Sequence, residues 1–213
     1  MVDELRLWAI NVDVFRQCFA APPELATRLW EITDTVAPPR PEPTGLLSKL
    51  GPLLRRPPTA PVIIPGVPNH LDAESMMSSR YIASDRLSAC WILAKAWLDD
   101  LATVKTVIPL PGDKIDELEF DLVRVEIPTQ VSIRHLWHRS IDIPLRADDD
   151  MSIGYMDSFT VERLTEEWTK AADELEEETA EFSKPLLEFV SAFPQYAEEA
   201  GQPVDLIAWW TSR

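Results

Sequence analysis

The chain has 213 residues, 46% of them hydrophobic and eight of them tryptophan, which suits one domain with a substantial core and excludes wholesale disorder. Twenty Lys and Arg against 36 Asp and Glu leave a formal charge of −16, which repels phosphate backbones and anionic lipid and sets nucleic acid and membrane aside as partners. Cys18 and Cys90 form no C-x-x-C motif, no run has the order of a signal peptide, and none reaches the ~18 apolar residues of a membrane span, so a cytoplasmic protein without metal or cofactor is expected.

Residues 5–10, with Leu7, Trp8 and Ile10, predict a first strand. Val12, Phe15 and Phe19 then have helical spacing, and Pro23 suits the first turn of a second helix through Leu25, Leu29 and Ile32. Ten of the nineteen prolines fall in residues 38–68, where Arg40, Lys49, Arg55 and Arg56 face the single acid Glu42. Proline fixes φ and removes backbone donors, so this stretch predicts a proline-rich insertion with a turn or two of regular structure at residues 46–50.

Ser84 is placed to cap a buried helix whose stripe is Leu87, Trp91, Ala94, Leu98 and Leu101. Residues 104–145 carry three β-leaning runs, at 104–110, 120–127 and 141–145; in the second, Val123, Val125 and Ile127 alternate with Arg124 and Glu126 as a half-buried strand requires. A strand over residues 151–156 leads to a helix capped by Ser158, with Val161, Leu164, Trp168 and Leu175 on one face. Lys184-Pro185 is expected to interrupt it, Gly201 to end a further helix, and residues 204–210 to close the chain as a strand. The sum is an α+β fold, a mostly antiparallel sheet packed against several helices around a single core, in one domain over residues 1–213.

Three segments in order resemble the YfbM-like family of small bacterial proteins of unknown function. They are Lys95-Ala96-Trp97; Ile153-Gly154-Tyr155-Met156 with the following helix through Trp168; and Leu186-Leu187-Glu188-Phe189 through Tyr196-Ala197-Glu198-Glu199-Ala200-Gly201 into Leu206-Ile207-Ala208-Trp209. The resemblance covers under half the chain, informs the fold and implies no catalytic role. The family pattern sets a leucine and then a histidine after the tryptophan. Asp99, Asp100 and Leu101 stand there instead, so nothing attached to that histidine carries over.

Catalytic signatures are absent: there is no G-x-S-x-G, G-x-x-x-x-G-K, G-x-G-x-x-G or H-E-x-x-H, and only six glycines are available to cradle a phosphate. His135 and His138 stand at i, i+3, but in a β-leaning stretch their rings would point to opposite faces, and no third ligand is evident. Asp99 and Asp100 diverge by about 100° on a helix and read as solvent-facing or capping groups. Both cysteines fall on or beside apolar stripes, where buried thiols are inert.

The strongest signal is charge. Between Ala147 and Ala200 sixteen acids face only Arg163, Lys170 and Lys184, a local balance of −13. Read as continuous helix, Glu162 with Glu166, Asp173 with Glu177 and Glu174 with Glu178 are like-charge i, i+4 pairs costing roughly 0.2 to 0.5 kcal/mol each, and residues 176–181 crowd a helix C-terminus, where the dipole prefers cations. Solubility or an acidic, salt-adapted proteome accounts for such acidity without a partner. The functional reading is a non-catalytic acidic binding protein, in its specific form an immunity protein neutralising a basic bacterial toxin. Its candidate partner-binding residues are Asp148, Asp149, Asp150, Glu166, Asp173, Glu174, Glu177 and Glu181. The alternatives are an enzyme or small-molecule-binding protein with a site of scattered residues near His135, Trp137 and His138, and a module that docks through its basic insertion.

Overall fold

The computed structural model describes residues 3–39, 63–148 and 150–212. The turn expected at residues 46–50, most of the proline-rich insertion, and Asp149 lie outside them. Strands β1 (Glu4–Ile10), β2 (Val104–Pro109), β3 (Met151–Met156) and β4 (Asp205–Thr211) form one sheet in the order β2-β1-β4-β3, each neighbouring pair antiparallel. The two terminal strands thus pair at its centre, with Leu7 opposite Ala208. Alternation sends Leu5, Leu7, Ala9, Leu206 and Ala208 to one face and Trp8, Ile10, Ile207 and Trp209 to the other, and all are buried. The single core expected from sequence is therefore divided by the sheet into two apolar layers.

The first layer covers the Trp8 and Trp209 face with α1 (Val12–Gln17), α2 (Pro23–Val36), α3 (His70–Met77) and α4 (Leu87–Leu101). Pro23 opens α2 as expected, and the Trp91 stripe of α4 packs edge-on against Trp209, centroids 5.1 Å apart. Ser84 does not cap α4. It begins a 3-10 turn, and α4 starts at Leu87 because Arg86 is drawn inward, its guanidinium forked on Asp72 of α3 and donating to the Ile64 and Val67 carbonyls at 3.0 and 2.8 Å.

The second layer covers the opposite face with α5 (Gly112–Arg124), α6 (Ser158–Ala171), α7 (Glu177–Ser191) and α8 (Phe193–Ala200). Trp168 is fully buried here, and an indole of about 150 to 250 Å² at ~25 cal/mol per Å² contributes on the order of 4 to 6 kcal/mol. The strand expected over residues 120–127 is instead the end of α5. Ile115, Leu118 and Leu122 bury one helical stripe, and the alternating run straddles the helix terminus, where Glu126 turns the chain with φ +61°. Residues 141–145 form no strand, although Ile141 and Leu145 bury in the first layer. Pro185 does not interrupt α7: it faces solvent while Leu186, Phe189 and Val190 continue the buried stripe, and that burial outweighs one missing backbone bond. The cap of α6 is Asp157, one residue before the expected Ser158, accepting from the Thr160 N–H at 2.9 Å. Gly201 ends α8 in the left-handed conformation, as expected.

Two devices join the layers. The Asp205 carboxylate accepts from Val12 N at the start of α1 and from Ser158 N at the start of α6, at 3.0 and 3.2 Å. The segment after α5 buries Ile133 and Leu136 in the second layer, crosses β3, and buries Ile141 and Leu145 in the first. It crosses so close that a Cβ on Gly154 would lie 2.5 Å from the Trp137 Cα, while Tyr155 N donates to Arg139 O at 3.1 Å. No described helix is long and apolar enough to cross a membrane.

Candidate functional site

The acid-rich run is not one helix. After α6 come a 3-10 turn, Ala172–Glu174, and an extended Leu175, and α7 begins afresh at Glu177. The break is imposed from α5. Its buried Asp121 accepts from Glu176 N at 2.8 Å, from the Thr179 hydroxyl, and from Arg124 Nε at 2.7 Å, while Arg124 Nη2 donates to the Glu174 carbonyl at 2.7 Å. Burial works against the charge on Asp121, but these donors together hold its carboxyl below the usual range.

This corrects two expectations. Asp173 with Glu177 and Glu174 with Glu178 do not share a helix. Glu177 and Glu178 lie in the first turn of α7, where the dipole favours anions by about 0.3 to 1 kcal/mol each, instead of at a C-terminus. Glu162 with Glu166 on α6 stays a like-charge pair, and Glu177 with Glu181 on α7 is another.

The structure distributes the predicted residues over three places. Asp148 and Asp150 precede β3, where the Asp150 carbonyl accepts from Ser212 N. Glu166 stands in the middle of α6. Asp173, Glu174, Glu177 and Glu181 are brought together by the turn between α6 and α7. Glu166, Asp173, Glu174, Glu177 and Glu181 are all exposed, and none forms an ion pair with a described residue. Arg124 is taken by Glu176, Lys114 by Glu178 and Lys170 by Glu167, while Arg163 and Lys184 form no ion pair with a described residue.

Two of the clefts among the described residues carry carboxylates. A shallow one of about 490 Å³ between α2 and α4 is lined by Arg28, Glu31, Ile32, Thr35, Asp99 and Asp100. Asp99 and Asp100 thus share one concavity, contrary to their expected divergence, but both are engaged: Asp100 by Arg28 at 2.7 Å, Asp99 by Trp8 Nε1 at 3.0 Å and by Lys95. Burial opposes the charge on Asp99, yet Lys95 and Trp8 keep its carboxyl below the ordinary range.

The second cleft, about 520 Å³, lies where α6 meets the α7–α8 junction and the loop before β4. Pro194, Ala197 and Pro203 supply its accessible apolar surface over buried Val161, Val190, Phe193 and Val204, and Glu162 and Glu166 supply its charge; no Lys, Arg or His lines it. Sequence reading reached Glu166 and missed the cleft, because its walls come from three separate segments.

His135 and His138 occupy a 3-10 turn, Ile133–Trp137, and its edge, and their rings stack 5.0 Å apart instead of pointing to opposite faces. Burial, then the charge of His138, pushes the His135 pKa down. Neither histidine lines either cleft, and no group of three or more His, Cys, Asp and Glu suited to a metal occurs among the described residues. Cys18 and Cys90 are buried, and burial pushes each thiol up to about 12. No family model, curated protein or solved structure matches the chain.

Proposed function

We propose that the chain is a non-catalytic acidic binding protein that docks a basic protein partner on its α6–α8 layer. In its most specific form it is an immunity protein that covers the active site of a basic bacterial toxin with carboxylates. The reading keeps the chain beside the YfbM-like proteins that three of its segments resemble, and makes it a cytoplasmic protein of bacterial type. The observation that supports it is that Glu166, Asp173, Glu174, Glu177 and Glu181 are exposed without an ion pair to a described residue, while Glu167, Glu176 and Glu178 beside them are paired. Exposed charges of one sign raise association rates and reject like-charged competitors, at little gain to the fold.

The test is capture on the immobilised protein at low and high salt, followed by titration of the purified captured partner. A basic protein whose affinity falls at least about tenfold with added salt, and which the fourfold variant Asp173→Lys, Glu174→Lys, Glu177→Lys, Glu181→Lys no longer binds, is the expected result. Salt-independent capture, or full affinity in the variant, would overturn the reading.

A further inference from the structure

Resting on that reading, we infer that the cleft between α6 and α8 receives a basic amphipathic segment of the partner, its aliphatic side chains against Pro194, Ala197 and Pro203 and its Lys or Arg side chains against Glu162 and Glu166. About 520 Å³ lies within the range of roughly 300 to 1,000 Å³ typical of binding clefts.

The lining selects against other chemistry. Carboxylates only accept hydrogen bonds, and Pro194 and Pro203 in the walls bring no backbone N–H. The Thr165 hydroxyl is already committed to the Val161 carbonyl at 2.9 Å. The Ser158 and Ser191 hydroxyls can donate, but no cation lines the cleft, so an occupant that meets Glu162 and Glu166 must bring the positive charge itself. Glu162 and Glu166 form no ion pair with a described residue, and Arg163, between them in sequence, is not part of the lining. Their mutual repulsion, unlike the charge of Glu177 and Glu178, has no helix N-terminus to offset it. Phe159, 75% exposed and next to Ser158 in α6 though outside the lining, offers a further apolar contact to a peptide segment longer than the cleft, which a small molecule confined within would not use.

The probe is a fluorescein-labelled peptide of about 14 residues, lysine-rich with leucines at helical spacing, titrated by anisotropy against the full chain. Both Glu162→Arg/Glu166→Arg and Ser191→Trp, which fills the cleft from an exposed position, are expected to weaken binding about tenfold with unchanged circular dichroism, and Glu177→Lys/Glu181→Lys less than about threefold. A control peptide with serine in place of leucine is expected to bind at least about tenfold more weakly. Loss confined to Glu177→Lys/Glu181→Lys would overturn the cleft and leave the acidic-surface reading standing. No binding of either peptide, at low salt, would remove both. Self-association of the chain that Ser191→Trp abolishes would assign the cleft to a second copy and also overturn the inference.

Discussion

The two layers of helices treat their acids in opposite ways. Around α1 to α4, carboxylates are spent on internal pairing: Asp13 with Arg16, Asp72 with Arg86, Asp99 with Lys95 and Asp100 with Arg28. Across α6 to α8 the pairs are few, and the acids that remain point outward without partners among the described residues. The same carboxylate group thus has two physical meanings. In the first layer it holds segments in place; in the second it shapes the field that an approaching molecule meets.

The largest expected effect lies at a position that serves both layers. Gly154→Ala places a Cβ against the Trp137 backbone where the chain passes from one layer to the other, and neither backbone can retreat without breaking the Tyr155 N to Arg139 O bond. A loss above about 4 kcal/mol, or failure to fold, is expected in urea denaturation. Next, Asp72→Ala in the first layer leaves Arg86 buried and uncompensated and is expected to cost about 3 to 5 kcal/mol. Its counterpart in the second layer, Glu162→Gln with Glu166→Gln, is expected to change stability by only a few tenths of a kcal/mol, in the stabilising direction. A comparable loss in both variants would erase the distinction between layers.

Asp121 gives the comparison a pH dependence, because it is a buried acid of the second layer that holds segments in place as the first layer's acids do. Its folded pKa is depressed, so its contribution is complete above the unfolded value of about 3.9 and disappears as pH falls through the lower folded value. Equilibrium unfolding from about pH 5 down to about pH 2, which runs from above the unfolded value past the depressed folded one, is expected to show a steeper stability loss for the native chain than for Asp121→Asn. A small gain is expected at the end of α5. Glu126 holds φ +61° where glycine fits without strain, and Glu126→Gly is expected to raise stability by up to about 1 kcal/mol.

The sheet and most helices were legible because their signals are local. Trp8 and Trp209 lie on strands with β-friendly neighbours, the Trp91 stripe has helical period, and Gly201 sits where a left-handed cap is needed. What misled was local too: residues 123–127 alternate like a strand only because a helix ends among them. The break between α6 and α7 had no signal within its own sequence, since it is fixed by Asp121, 55 residues before Glu176. For the same reason the charge pattern revealed the acids but not their grouping, and the cleft beside Glu166 needed three segments to be brought together.

The most direct test of the partner-docking account is nitrogen-15 amide mapping of the full chain with the lysine- and leucine-bearing peptide. The account predicts shift changes concentrated in residues 158–166 and 190–204, fading as salt is added. Changes centred on α2 and α4, around Arg28 and Asp100, or spread evenly over every acidic surface, would contradict it.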